Sequence, residues 1–147
     1  MSTQWIVVAD AGVARILARP SPDADLQQVE QLDDPAAHAS NAALRRDAYG
    51  RRGAGDDLRM GGNATSSAGL DEEHRESIEF AGRLADRLHQ ALQQQRFDEL
   101  RIAAEPRFLG QLRRALSPQV AALVKEEIDK DLVHEDLRTL TQRFFAA

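Results

Sequence analysis

The segment QWIVVADAGVARILARP, which runs from Gln4 to Pro20, decides the fold of this chain. It contains two short apolar runs, WIVVA and VARIL, on either side of Asp10-Ala11-Gly12. Aspartate and glycine are typical turn residues, and two β-rich runs that flank such a turn predict a β-hairpin. We therefore expect the chain to begin with two antiparallel strands, to which the later elements are added.

The next 70 or so residues predict a strand, a loop and a helix. DLQQVEQLDD, residues 25–34, is a third and weaker strand, and residues 35–70 form a long, basic, Gly-rich loop with almost no large apolar side chains. A loop of this length inside a compact domain is usually functional or disordered. From Asp71 onward, apolar residues recur at spacings of three and four and predict an amphipathic helix. Its predicted stripe comprises Ile78, Ala81, Leu84, Ala85, Leu88 and Leu92.

The last third of the chain predicts two more strands and two more helices. FDELRIAAEP is a strand that ends at Pro106, and FLGQLRRALSP is a helix in which we expect Gly110 to pack closely against the sheet. VAALVKEEIDKDLV predicts a helical turn and then a fifth strand around Glu126 to Leu132, and the chain closes on a helix that carries Leu137, Leu140 and Phe144.

The resulting order, β-β-β-α-β-α-β-α, predicts an α/β fold in a single domain over residues 1–147. Three meandering strands followed by two strand-helix units predict a mixed five-stranded sheet covered by helices, because parallel additions require crossover helices. Ribonuclease H-like folds have this order, and so does the middle domain of the eukaryotic and archaeal class-1 peptide-chain release factors.

Composition narrows the class of protein. The 147 residues carry a net charge of −5 and include no cysteine, which excludes disulfides and thiolate metal sites. The start of the chain lacks a signal-peptide pattern and a membrane span, so we expect a cytoplasmic protein without membrane contact. The four histidines show no ligand spacing and no nucleotide-binding fingerprint occurs, so we expect neither a metal nor a cofactor.

Three blocks of the sequence resemble a known family. WIVVADAGVARIL, ELRIAAEPRFLGQLRRAL and EEIDKDLVH look like the signature blocks of the bacterial host attachment protein family, named as required for attachment to host cells. The most specific pieces are residues 109–113 and 130–132. That family in turn resembles bacterial and archaeal relatives of the release-factor middle domain, in which a loop with Gly-Gly-Gln precedes a long helix.

This resemblance implies a catalytic loop at Gly61-Gly62-Asn63, which lies before the predicted long helix. In release factors that share this arrangement, the loop enters the ribosomal peptidyl-transferase centre and helps water to attack the peptidyl-tRNA ester. The third residue here is Asn63 in place of glutamine, so it keeps the backbone N–H that stabilises oxygen charge but has a side chain one methylene shorter. The resemblance thus implies a release-factor-like, ribosome-associated protein.

The segment around this motif is locally basic. Between Leu44 and Asn63 the chain has five arginines and three aspartates. Arginines of this kind contact RNA phosphates, and a tyrosine can stack on a base. The candidate RNA-binding residues are Arg45, Arg46, Tyr49, Arg51, Arg52 and Arg59.

Two other functions remain open from the sequence. One is a non-catalytic interaction protein that binds a protein partner and acts indirectly in host attachment or stress. The other is a metal-dependent nuclease, since ribonuclease H-like nucleases hold two magnesium ions with carboxylates on the first strand, the first helix and later strands. Its candidate ligands are Asp10, Glu76 or Glu79, Glu105 and Asp129.

Overall fold

The computed structural model describes residues 2–34 and 55–145, with side chains described for 2–34 and 72–145. The strands are β1 (Gln4–Ala9), β2 (Val13–Arg19), β3 (Gln27–Asp33), β4 (Glu99–Ala104) and β5 (Val124–Ile128). The helices are α1 (Gly55–Gln93), α2 (Pro106–Ala115), the single turn α3 (Pro118–Ala121) and α4 (Leu137–Phe145). The order of elements is the predicted one, and the single turn α3 lies just before β5, where a helical turn was expected.

The strands form one mixed sheet of five strands in the order β3-β2-β1-β4-β5. β2 pairs antiparallel with both β1 and β3, whereas β4 pairs parallel with both β1 and β5. α1 leads from β3 to β4, and α2 with α3 leads from β4 to β5, which supplies the crossovers that parallel neighbours need. The expectation of an α/β fold with a mixed five-stranded sheet is therefore confirmed.

The hairpin at the start of the chain also forms as predicted. Ala9 pairs with Ala14 at the turn, and the backbone N–H of Asp10 donates to the carbonyl of Val13 over 2.9 Å. The side chain of Asp10 in turn accepts hydrogen bonds from the N–H groups of Gly12 and Val13, at 2.8 and 2.9 Å. Asp10 thus satisfies turn amides that have no strand partner, which is the usual role of aspartate in a tight turn.

The alternation of β1 divides the core into two layers. Trp5, Val7 and Ala9 face α1 and α2, while Ile6 and Val8 face the opposite side of the sheet. All five are at most 2% exposed, as expected for a central strand covered on both faces. The second layer is completed by α4, so helices cover both faces of the sheet.

α1 packs on the sheet with most of the predicted stripe: Ala81, Leu84, Ala85 and Leu88 are buried and Leu92 packs against the same core, but Phe80 takes the place predicted for Ile78. Phe80 is fully buried and its ring centroid lies 5.7 Å from that of Phe108 on α2, whereas Ile78 is 47% exposed. Ala81 lies three residues after Ile78 and Leu84 lies four residues after Phe80, so the sequence permits two neighbouring stripes. The aromatic partner on α2 selects the stripe that contains Phe80, because that stripe buries the larger side chain.

The start of α1 is a second difference. The helix begins at Gly55 rather than at Asp71 and is 39 residues long, so residues 55–70, predicted as loop, are helical. Glycine costs only about 1 kcal/mol relative to alanine inside a helix, and no proline interrupts the segment, so its glycines weaken the helix without ending it. Residues 35–54 of the predicted loop lie outside the described part of the chain. None of the described helices is apolar enough over a sufficient length to cross a membrane.

β5 also differs from its predicted bounds. It ends at Ile128, whereas the prediction continued to Leu132. Leu132 and Val133 are buried nonetheless, in the connection that leads to α4. Arg15 of β2 fixes this connection by donating hydrogen bonds to the carbonyls of Val133 and Glu135, at 2.8 and 2.7 Å. The apolar residues of the connection therefore reach the core without being part of a strand.

Asp136 caps the start of α4. Its carboxylate accepts a hydrogen bond from the backbone N–H of Thr139 over 2.7 Å, and this bond lowers the pKa of Asp136 below its ordinary value. At the other end of α4, the guanidinium groups of Arg19 and Arg101 lie 4.0 and 5.0 Å from the ring centroid of Phe145. α4 is thus held at both ends as well as by its buried face.

We expect the native protein to lose more stability than an Asp136→Asn variant as the pH falls from about 6 to about 2. A carboxylate whose folded pKa is depressed stabilises the fold fully above its unfolded pKa, near 3.9, and the stabilisation is lost as the pH falls through the folded value. Asparagine keeps the capping oxygen but does not titrate. Urea unfolding across this pH range measures the difference, and parallel pH profiles for the two proteins would contradict it.

Candidate functional site

A crevice opens where the parallel strands β1 and β4 end beside each other. Ala9 pairs with Ala104 at the last position of this ladder. In open α/β sheets ligands bind outside the carboxyl ends of the strands, so this edge is the expected place for a site. A hollow of about 490 Å³ lies there and is lined by Ala11, Glu73, His74, Ser77, Glu105, Arg107 and Gln111.

The local sequence Glu105-Pro106 sets the direction of α2 at this edge. Glu105 is the N-cap, and its carboxylate accepts a hydrogen bond from the backbone N–H of Phe108 over 2.6 Å. Pro106 occupies the first helical turn, where its missing N–H costs nothing. Because α2 starts here, Arg107, Gln111 and Arg114 lie at positions i, i+4 and i+7 and form one stripe along the helix.

Gln111 is the unusual residue of this stripe. It is only 8% exposed, and its amide nitrogen lies 3.3 Å from Nδ1 of His74 on α1. Its Oε1 is buried and has no hydrogen-bond partner among the described residues. A buried acceptor left without a donor costs about 1–3 kcal/mol, so the amide is stabilised by any molecule that brings a donor to it.

A second hollow of about 360 Å³ adjoins the first and shares His74, Arg107 and Gln111 with it. It is also lined by Gly110 and Arg114. We call the two hollows together the α1–α2 groove. A Cβ at Gly110 would meet no heavy atom of the described residues within 4 Å, so the expectation that Gly110 packs closely against the sheet is wrong. Gly110 instead lies beneath open space in the groove.

Two ion pairs fix the helices around the groove. Arg87 of α1 lies 2.6 Å from the carboxylate of Glu30 on β3, and hydrogen bonding to Glu30 raises the pKa of Arg87. Arg113 of α2 donates to Glu127 of β5 over 3.0 Å, and this bond raises the pKa of Arg113. Both guanidinium groups therefore stay charged, and each ties one helix to an outer strand of the sheet.

The residues predicted from the release-factor resemblance lie elsewhere. Gly61, Gly62 and Asn63, with Arg59, belong to the N-terminal half of α1, and their backbone is helical rather than a loop. Asn63 precedes Ser77, the first buried side chain described on α1, by 14 residues, or about 21 Å of helix. The roles of these four residues remain predictions.

Arg45, Arg46, Tyr49, Arg51 and Arg52, the other predicted RNA-binding residues, lie outside the described residues. Their proposed contacts with RNA also remain predictions.

The carboxylates considered for a metal-dependent nuclease, Asp10, Glu76 or Glu79, Glu105 and Asp129, do not form a metal site in the described part of the chain, although Asp10 and Glu105 follow the paired residues Ala9 and Ala104. Asp10 binds the hairpin amides and Glu105 caps α2, so both have structural roles. Glu79 and Asp129 are exposed on α1 and after β5. Within the described ranges, no group of three or more histidine or acidic side chains is placed to hold a metal ion.

The α1–α2 groove itself was not foreseen from the sequence. The available signal was Gln111, a polar residue among the apolar residues Phe108, Leu109 and Leu112 of α2. Spacing on α2 cannot show that His74 of α1 lies opposite, since that contact depends on how the two helices pack. The predicted site and the groove are thus two separate regions joined by one helix.

Comparison with known proteins shows a match over almost the whole chain. A family model described as "Protein required for attachment to host cells" matches residues 5–144. The matched range includes every strand and helix start described above except that of β1, which begins one residue earlier. A search of curated proteins found no match.

Proposed function

The chain belongs to the family of proteins required for attachment to host cells, and from this premise we propose that it is a release-factor-like protein that acts on the ribosome. Its activity would be assistance to peptidyl-tRNA hydrolysis through Gly61, Gly62 and Asn63. The observation that carries the proposal is the position of this motif, on a long helix well before the first buried residue described on that helix.

We propose in addition that the fold has the ribonuclease H-like topology of the release-factor middle domain. The strand order β3-β2-β1-β4-β5 supports this, as does the reversal from antiparallel to parallel pairing at β1. In this topology the long helix follows the three-stranded meander, which is where α1 lies.

The length of α1 suits a narrow target. About 21 Å of helix separates Asn63 from Ser77, where packing on the sheet begins among the described side chains. A motif carried at this distance can enter a site that excludes the five-stranded body. The peptidyl-transferase centre, buried within the large ribosomal subunit, is a target of this kind.

In the proposed reaction a water molecule attacks the carbonyl carbon of the ester between the peptide and the tRNA. The bond from that carbon to the 3′ ribose oxygen breaks, the peptide leaves as its carboxylic acid, and the ribose oxygen takes up the proton. The backbone N–H of Asn63 would donate a hydrogen bond to the oxygen on which negative charge develops. The residue thus contributes through its main chain, which is the same for asparagine and glutamine.

This role requires α1 to open locally. In a continuous helix the N–H of Asn63 donates to the carbonyl four residues earlier and is not free for a substrate. The sequence GGNATSSAG, residues 61–69, has a summed helix propensity roughly 5 kcal/mol poorer than polyalanine, so opening costs less here than in a segment of strong helix formers. The two glycines also permit the backbone conformations that the open form needs.

Ribosome co-sedimentation at low and raised salt tests the proposal. We expect the native chain to sediment with ribosomes at low salt and to be released as salt rises, because each arginine-phosphate contact releases a counterion. Replacement by alanine of the arginines between Leu44 and Asn63 should weaken sedimentation and lower the salt slope by about 0.7 for each phosphate that is no longer neutralised. The replaced residues are Arg45, Arg46, Arg51, Arg52 and Arg59.

A matched control changes five exposed cations elsewhere on the chain to alanine. These are Arg75, Lys125, Lys130, Arg138 and Arg143. We expect this control to sediment like the native chain although it has the same net charge as the first variant. Equal loss of co-sedimentation in both variants would mean that binding depends only on overall charge. If the native chain does not sediment with ribosomes at low salt, the ribosomal function is rejected.

A second candidate function is favoured by the family description, which names attachment to host cells. In this case the chain is a non-catalytic interaction protein that binds a protein partner and affects attachment indirectly. The two functions differ in their dependence on Gly61 and Gly62. An attachment assay that is unaffected by alanine at both positions, in a chain that does not bind ribosomes, supports the interaction protein.

A further inference from the structure

We propose that the α1–α2 groove binds a single nucleotide, with its base donating a hydrogen bond to Gln111 and its phosphate contacting Arg107 or Arg114. The inference goes beyond the proposed function and does not depend on it. The groove is lined by residues 73–77 of α1 and by α2, and neither the glycine motif nor the basic segment before it is among its described lining residues.

The inner end of the groove is rich in hydrogen-bond acceptors. Gln111 presents a buried Oε1 without a partner among the described residues, and Glu73 and Glu105 line the same hollow. One oxygen of Glu105 accepts from Phe108, which leaves the other oxygen available. Acceptors in this arrangement suit the exocyclic amine of adenine, cytosine or guanine. A phosphate would be repelled by the two carboxylates at this end.

The outer end of the groove is cationic. Arg114 lines only the second hollow, and Arg107 lies between the two hollows. Both side chains are exposed at the surface and project from the same face of α2, about 10 Å apart along the helix axis. Guanidinium groups bind phosphate with paired, charge-assisted hydrogen bonds. The charge distribution therefore orients a nucleotide with its base inward and its phosphate outward.

Gly110 supplies the space between the two ends. It lies in the middle of α2, where alanine would stabilise the helix by about 1 kcal/mol and would meet no described neighbour within 4 Å. Packing against the described residues therefore does not account for a glycine here. Its absent side chain leaves room for the nucleotide beside α2 in the second hollow, and the hollows, about 490 and 360 Å³, fall in the range of small-molecule sites, roughly 300–1,000 Å³.

This polarity predicts a preference among bases. Adenine and cytosine carry an exocyclic amine and uracil does not, so AMP and CMP should bind more tightly than UMP. Ribose 5-phosphate, which has no base, should bind most weakly. A groove that bound phosphate alone would not distinguish these four compounds.

The experiment is an NMR titration of the full chain, labelled with nitrogen-15, with AMP, CMP, UMP and ribose 5-phosphate. We expect AMP and CMP to bind at least about fivefold more tightly than UMP and to shift amides of α2. Gln111→Leu removes the acceptor and Gly110→Leu fills the groove. Each variant should therefore weaken the binding of AMP at least about tenfold, which corresponds to 1.4 kcal/mol.

Gly82→Leu is the matched control. Gly82 is also inside a helix, has no described neighbour within 4 Å of an added Cβ, and does not line the groove. The Gly82→Leu variant should bind AMP like the native chain. Thermal unfolding of all three variants checks that they fold. A Gly61→Ala, Gly62→Ala double variant should also bind AMP normally, which separates this site from the proposed hydrolytic one.

A parallel titration with an adenosine tetranucleotide distinguishes the two sources of the ligand. Similar affinities for AMP and the tetranucleotide identify a free nucleotide as sufficient, and much tighter tetranucleotide binding that is lost in Gln111→Leu identifies a single-stranded RNA. Both results support the nucleotide site. Failure of AMP, CMP and the tetranucleotide to shift any α2 amide at millimolar concentration would overturn it, as would AMP affinity unchanged in both groove variants.

Discussion

Phe80→Ala is expected to lower the free energy of unfolding by about 3–5 kcal/mol. Phe80 is fully buried on α1, and its ring lies 5.7 Å from that of Phe108 on α2. Truncation removes the transfer free energy of the ring and leaves a cavity between the two helices and the sheet. Urea unfolding followed by circular dichroism measures the change, and the slope with denaturant should stay close to that of the native chain.

Ile78→Ala is the matched comparison. Ile78 lies two residues before Phe80 on the same helix but is 47% exposed, so its truncation should change the free energy of unfolding by no more than about 0.5 kcal/mol. The pair therefore reports which stripe of α1 faces the sheet. A larger loss in Ile78→Ala than in Phe80→Ala would mean that α1 is rotated from the orientation described here.

Alanine at both Gly61 and Gly62 is expected to reduce peptidyl-tRNA hydrolysis at least about 100-fold, if the proposed function is right. Alanine disfavours the positive-φ conformations that an open motif would use, and it stabilises the helix that competes with opening, by about 1 kcal/mol for each glycine. Release of labelled peptide from ribosome complexes measures the rate. Circular dichroism should show at least as much helix in the variant as in the native chain.

Gly69→Ala provides the control for this double variant. It makes the same chemical change within α1, but it lies six residues after Asn63. Helix content should rise in both proteins, whereas hydrolysis should fall only in the double variant. If native protein hydrolyses peptidyl-tRNA and the double variant does so at the same rate, the glycines have no catalytic role. Equal loss in both proteins would assign the effect to helix stability.

The sequence was sufficient for the order of elements and for the hairpin. Residues 4–20 contain two short apolar runs around a turn, and the turn is satisfied by Asp10 within its own segment. α2 is similarly local, since Glu105 and Pro106 define its start without help from the rest of the chain. Both features depend on contacts between residues that are neighbours in sequence, and such contacts can be recognised from residue type and spacing.

Other features depend on partners far away in the sequence, and these were misjudged or missed. The buried face of α1 depends on Phe108, which selects Phe80 over Ile78. Gly110 was interpreted as a packing residue because spacing alone cannot distinguish a glycine against the sheet from a glycine beneath open space.

By itself, then, the sequence determined the α/β class, the hairpin and the position of α2, because local hydrogen bonds and residue spacing specify them. It also carries the family resemblance, which the match over residues 5–144 supports. Only the tertiary structure decided that His74 and Gln111 meet across two helices and leave a polar groove at the ends of β1 and β4. That groove results from the relative placement of α1 and α2 on the sheet, which is set by long-range packing.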